Sequence, residues 1–130
     1  MYKLTLPYPT IKKKKSLNLL SLNIYRNAHF FLLSKAKKEY AELCFAEFKK
    51  HKLVPLKGQI MLKYTLFFKG KRRRDLDNFF SITSKFFNDA LVDYGIIEDD
   101  DIKVIPNIEI NFGGTGDKNY VQIEILQLTK

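Results

Sequence analysis

The chain has 130 residues, 45% of them hydrophobic, a net charge of +9 and one cysteine. That size and apolar share suit a single folded domain spanning residues 1–130 and exclude a disordered chain or a disulfide framework. No apolar run approaches the length of a membrane span, and the N-terminus lacks the apolar core of a signal peptide, so a cytoplasmic protein with no membrane partner is expected.

Tyr2 to Tyr8 alternates loosely and ends at Pro9, which predicts a short strand. Lys12, Lys13, Lys14 and Lys15 follow; four lysines in a row repel one another, and the segment reads as a mobile loop or arm. A helix is predicted over Ser34 to Lys50, capped by Ser34, with Ala36, Tyr40, Leu43, Cys44 and Phe48 at helical spacing. Cys44 lies in the apolar stretch LCFAEF and reads as a core residue in a reducing cytosol. Gln59 to Lys69 alternates with period two, which predicts a strand burying Ile60, Leu62, Tyr64, Leu66 and Phe68. Gly70 ends it. A second helix is predicted from Asn78 to Val92, closing near Tyr94-Gly95.

An acidic loop follows. Ile102 to Phe112 and Asn119 to Leu128 then read as two strands joined by GGTGDK, a hairpin signal. Pro106 cannot donate to a ladder, so it marks an edge, a bulge or the true strand start. The expected fold is α+β, with a small mixed, mostly antiparallel sheet covered by two main helices in the order β-α-β-α-β-β.

Charge is segregated along the chain. Through Arg74 there are 19 Lys and Arg against 3 acids, or +16; from Asp75 onward there are 4 against 11, or −7. The first half can attract a polyanion, of which nucleic acid is the usual one. Eight of the fourteen acids fall between residues 75 and 101. Such a cluster repels a polyanion unless a cation sits between them.

The two regimes meet at KRRRDLDN, residues 71–78. In an extended segment Asp75 and Asp77 point the same way, with Leu76 turned into the core. Two neighbouring carboxylates are good ligands for Mg²⁺ or Mn²⁺. The same residues also suit a helix N-cap, and both roles stay open. Glu98, Asp99, Asp100 and Asp101 form either a solvated turn or, if the fold brings them back, a second set of ligands. Lys85 either neutralises charge on a phosphate or snorkels among Phe79, Phe86 and Phe87. There is no zinc spacing, no Walker loop and no triad arrangement around His29 or His51.

Taken together, RRRDLDN, Lys85 followed by Asp89-Ala90-Leu91, and Gly95 before the aspartates resemble the RusA family of Holliday-junction resolvases. These are small, dimeric, Mg²⁺-dependent endonucleases, largely of prophages and phages. The resemblance covers residues 72–101 most closely, with weaker similarity at LTLPYP and at SLNIYRNAH. It implies metal ligation by Asp75, Asp77 and one aspartate after the helix. Counting from Gly95 favours Asp100, with Asp99 or Asp101 as alternates. It implies a phosphate-neutralising role for Lys85. The match needs four extra residues before Lys85, which turn its face by about 40° and move it about 6 Å along the helix.

The resemblance further implies DNA-backbone contacts by Lys71, Arg72, Arg73, Arg74, Arg26 and Lys12 to Lys15. Phe30 and Phe31 then become either a wedge at a junction or core residues. The expected activity is paired, symmetric nicking of four-way DNA junctions by a homodimer in recombination and repair. Three rivals stand beside it: a flap or branched-DNA nuclease without junction preference, a non-catalytic basic DNA-binding module, and a phage structural protein.

Overall fold

The computed structural model describes residues 1–13 and 16–128. The elements in chain order are β1 (Tyr2–Leu6), β2 (Thr10–Lys13), β3 (Ser16–Leu19), α1 (Leu22–Asn27), α2 (Phe30–Lys50), β4 (Ile60–Lys69), α3 (Leu76–Asp93), β5 (Asn107–Gly116) and β6 (Tyr120–Gln127). The fold is α+β. Its main sheet has the order β1-β6-β4-β5 and is mixed: β6 runs antiparallel to both β1 and β4, whereas β4 and β5 are parallel.

β4 is the central element, and its alternation explains why. Ile60, Leu62, Tyr64, Leu66 and Phe68 are all buried on one side, and Leu62, Tyr64 and Leu66 lie opposite Ile125, Ile123 and Val121 of β6. Helices α2 and α3 cover this face. α2 contributes Ala36, Tyr40, Cys44 and Phe48, one every fourth residue, which keeps them on one stripe, whereas Leu43, expected with them, is turned off the stripe and exposed. α3 contributes Ile82, Phe86, Phe87, Ala90 and Leu91. Rings lock the layers together: Phe48 meets Phe87 edge-on at 5.7 Å, and Tyr64 meets Phe87 at 6.2 Å. The opposite face of the sheet is half-exposed and mixed: Lys63 of β4 reaches Glu109 of β5 (3.5 Å) and Glu124 of β6 (4.0 Å), and Phe67 stacks on Tyr120.

Several expected boundaries change. The segment read as a loop or arm is partly a ladder, since Thr10–Lys13 pairs with Ser16–Leu19; Lys14 and Lys15 lie outside the described residues. α1 is an additional short helix, capped by Ser21, whose Oγ accepts the Ile24 N–H at 3.3 Å. α2 begins four residues before Ser34; His29 caps it by accepting the Phe31 N–H at Nδ1 (3.2 Å). α3 begins at Leu76 and closes as expected. Gly95 takes a left-handed φ of +83°, and the N–H groups of Gly95 and Ile96 return to the Val92 and Leu91 carbonyls.

The largest correction concerns the last two strands. β5 and β6 are not a hairpin, because β4 lies between them. The GGTG stretch belongs to β5, which starts at Asn107 just past Pro106. The three residues after Gly116 cross the end of β4. There the Lys69 N–H donates to Asn119 Oδ1 (2.7 Å) and the Gly70 N–H to the Gly116 carbonyl (3.0 Å).

Among the described residues, no helix is long and apolar enough to cross a membrane.

Candidate functional site

The junction between the basic and acidic halves is the β4–α3 connection. Gly70 leaves the strand with φ +77°, a backbone state that disfavours any side chain, and turns the chain outward. Arg74 then ties the loop down. Its Nη1 donates to the Arg72 carbonyl (3.2 Å), its Nη2 to the Lys69 carbonyl (3.1 Å), and its guanidinium lies 5.0 Å over the Phe68 ring. The Lys71, Arg72 and Arg73 side chains are exposed, and none makes an ion pair among the described residues.

The arginine run forms a ridge between two clefts. One, of about 560 Å³, is lined by Arg72, Arg73, Arg74 and Asp75 together with Asn18, Ser21, Ile24 and Asn78. The other, of about 480 Å³, shares the three arginines and adds Lys71, Leu76, Phe112 and Thr115. Uncompensated guanidinium groups at a concave surface attract phosphate and bind it bidentately. Neither Asn18, Ser21 nor Asn78 stood out in the sequence as a site residue. Asn78 Oδ1 accepts the Asn23 N–H at 3.3 Å, which holds α1 against the start of α3 and forms the cleft wall. Its position inside DLDN was the available signal.

Asp75 is the N-cap of α3, with extended backbone but no side-chain capping bond. Asp77 is the only acid in the first helical turn, where the helix dipole favours negative charge. Both are exposed, and neither is in an ion pair among the described residues. The pleated arrangement expected for the pair does not hold, because the chain is helical from Leu76. Asp75 lines the larger cleft and Asp77 does not, while Leu76 is half-buried against the core.

Ser81, Lys85 and Asp89 continue from Asp77 at intervals of four along α3. Lys85 is exposed between buried Ser84 and Phe86, which leaves its ammonium in solvent. It lies about 12 Å along the axis from Asp77. Asp89 is held by Lys37 at 2.8 Å.

The acidic loop stands elsewhere. Asp101 Oδ1 accepts the Lys103 (3.0 Å) and Val104 (3.3 Å) N–H groups, so it shapes the turn. Asp99 Oδ1 accepts the Asp100 N–H at 2.7 Å. Partial burial pushes the Asp100 carboxyl above its ordinary value; its own backbone N–H opposes this, and Asp99 and Asp89 reinforce it. Among the described residues, no group of three or more His, Cys, Asp or Glu could hold a metal ion. One chain therefore brings Asp75 beside the arginines, and the acidic loop contributes no residue to the lining of either arginine cleft.

The remaining cations are dispersed. Arg26 lies in the last turn of α1, and Lys12 lines a separate cleft between β2–β3 and α2. Lys13 lies in β2. No family model matches the chain, and no curated protein matches it.

Proposed function

We propose that the protein is a structure-selective endodeoxyribonuclease that nicks four-way DNA junctions, working as a cytoplasmic homodimer so that two related sites cut two strands. The observation that carries this reading is the cleft in which Arg72, Arg73 and Arg74 stand beside the uncapped carboxylate of Asp75. The charge segregation along the chain and the resemblance of RRRDLDN to the resolvase motif support it.

Mg²⁺ commonly takes one or two protein carboxylates and completes its shell with water and substrate phosphate. Asp75, exposed at the cleft, fits that role, and Asp77, exposed two residues on but outside the cleft lining, would be a second ligand; both are free of ion pairs among the described residues. When bound, Mg²⁺ or Mn²⁺ would supply an activated water and charge neutralisation at the leaving oxygen. The chain's own residues do the positioning. Arg72 and Arg73 draw in and orient the phosphodiester backbone, Arg74 keeps the loop in shape, and Asn78 holds the cleft wall. Lys85, farther along the same helix, meets the backbone beyond the cleft.

A labelled four-way junction, with duplex and flap controls, tests this with and without Mg²⁺ or Mn²⁺. Paired symmetric nicks that need metal and disappear in Asp75→Asn and Asp77→Asn are expected. A second reading, a non-catalytic DNA-binding module, is favoured by the lack of a three-carboxylate group among the described residues. Salt-sensitive junction binding without cleavage, unchanged in both variants, would establish it instead. Cleavage of flaps as fast as junctions would point to a general branched-DNA nuclease.

A further inference from the structure

Phe30 and Phe31 open α2 and are 70% and 72% exposed. Neither is needed to start the helix, since His29 supplies the cap. A core role is excluded by their exposure. The two rings lie 5.4 Å apart at 55°, and the His29 imidazole stacks on Phe31 at 5.3 Å and 22°. Three consecutive residues thus present one exposed patch of aromatic faces.

The surroundings of that patch are cationic. Arg26 ends α1, the first turn of α2 holds no acid, and Lys35 and Lys38 are exposed just beyond. The nearest acid along α2, Glu39, is paired with Lys35 at 3.9 Å. The patch also follows closely in the chain on residues that line the arginine cleft. Ser21 and Ile24 line that cleft, Asn23 is bonded to Asn78, and α1 is only about 9 Å long. Only Ala28 and His29 separate α1 from Phe30.

Exposed aromatics among cations are the means by which proteins hold unstacked bases, whereas a fully paired duplex offers no base face to them. We infer that Phe30 and Phe31 form a stacking platform for bases splayed at the branch point of DNA whose backbone lies in the arginine cleft. The inference rests on the DNA-binding reading above and adds a source of branch selectivity, which phosphate contacts by Arg72 and Arg73 do not supply. The small area of two rings and the cationic rim favour bases over an apolar protein partner.

The test uses the full chain with a four-way junction carrying 2-aminopurine at the branch, and a linear duplex with the same label, without divalent metal. Anisotropy gives affinity and 2-aminopurine emission reports stacking. Wild type is expected to bind the junction more tightly than the duplex and to change the branch emission. A double variant, Phe30→Ser with Phe31→Ser, should keep duplex affinity, lose the emission change, and lose about fivefold or more of its junction preference, the low end for one stacked base. Phe30→Tyr with Phe31→Tyr should restore both. Unchanged preference and emission in the serine variant would overturn the inference while leaving DNA binding intact. So would a change only in sedimentation, which would assign the patch to a protein contact. A wild type that binds neither DNA would remove the functional reading and this inference together.

Discussion

Replacing Arg72 and Arg73 together with glutamine should weaken DNA binding and flatten its salt dependence, whereas Arg74→Gln should mainly lower stability. The difference follows from how the guanidinium groups are used. Those of Arg72 and Arg73 are exposed and free of ion pairs among the described residues, so on the proposed reading their removal would delete phosphate contacts and little else. Each lost contact should lower the slope of log K against log salt by about 0.9, so the pair should lower it by about 1.8. Between 50 and 200 mM salt, a fourfold range, the wild-type advantage should then shrink by about tenfold. Fluorescence anisotropy with a labelled duplex measures it directly.

Arg74 instead donates to the Lys69 and Arg72 carbonyls and covers the Phe68 ring. These contacts are partly solvated, and their loss should cost about 1–2 kcal/mol. That corresponds to about 3–5 °C in Tm for each kcal/mol. An affinity ratio for the double variant that does not change with salt would refute the assignment of phosphate contacts. So would an Arg74→Gln protein of unchanged Tm whose salt slope fell like that of the others.

Three further outcomes test the fold. Phe87→Ala empties a fully buried site packed on Phe48 and Tyr64, and should cost about 3–5 kcal/mol in chemical denaturation. Gly113 occupies the extra position in β5 where the register with β4 slips, and a Cβ there would stand 2.5 Å from the Phe67 ring and 2.8 Å from Thr65 Cγ2. Phe67 is stacked on Tyr120 at 4.5 Å and resists moving, so Gly113→Ala should cost about 1–3 kcal/mol, read as a shifted denaturation midpoint. Burial pushes the Cys44 thiol from its ordinary 9.0 up to about 12, so native protein at pH 8 should react with a thiol reagent only through opening. Because the folded value is the raised one, the thiol's contribution to stability is complete below pH 9 and declines as pH rises toward 12; in a pH series of unfolding curves, Cys44→Ala should remove the decline between pH 9 and 10, above which buried Tyr8, Tyr40 and Tyr64, also raised, add a decline of the same sign.

What was legible in the residues was periodic. β4 alternates strictly because one face is core and the other is solvated, and α3 shows an apolar stripe closed by Gly95. The α+β class and the mixed sheet follow from such elements. The start of α2 was misplaced because Ser34 is a good local cap, while the cap in the structure is His29 and nothing in FFLL marks exposed rings. The β2–β3 ladder was hidden because charge repulsion among lysines is a local cue, and strand pairing is not.

The sequence by itself determined the alternating strand, the two long helices, their buried stripes and the meeting of arginines with Asp75 and Asp77, since all of these are encoded within a few residues of one another. Only the tertiary structure decided that β4 inserts between β5 and β6. A short connection states that two strands are near, and not whether a third lies between them. Only it decided that Asp75 lines the arginine cleft and Asp77 does not, because the chain is already helical from Leu76. And only it left Phe30 and Phe31 in solvent, because whether a ring is buried depends on what the rest of the chain places over it.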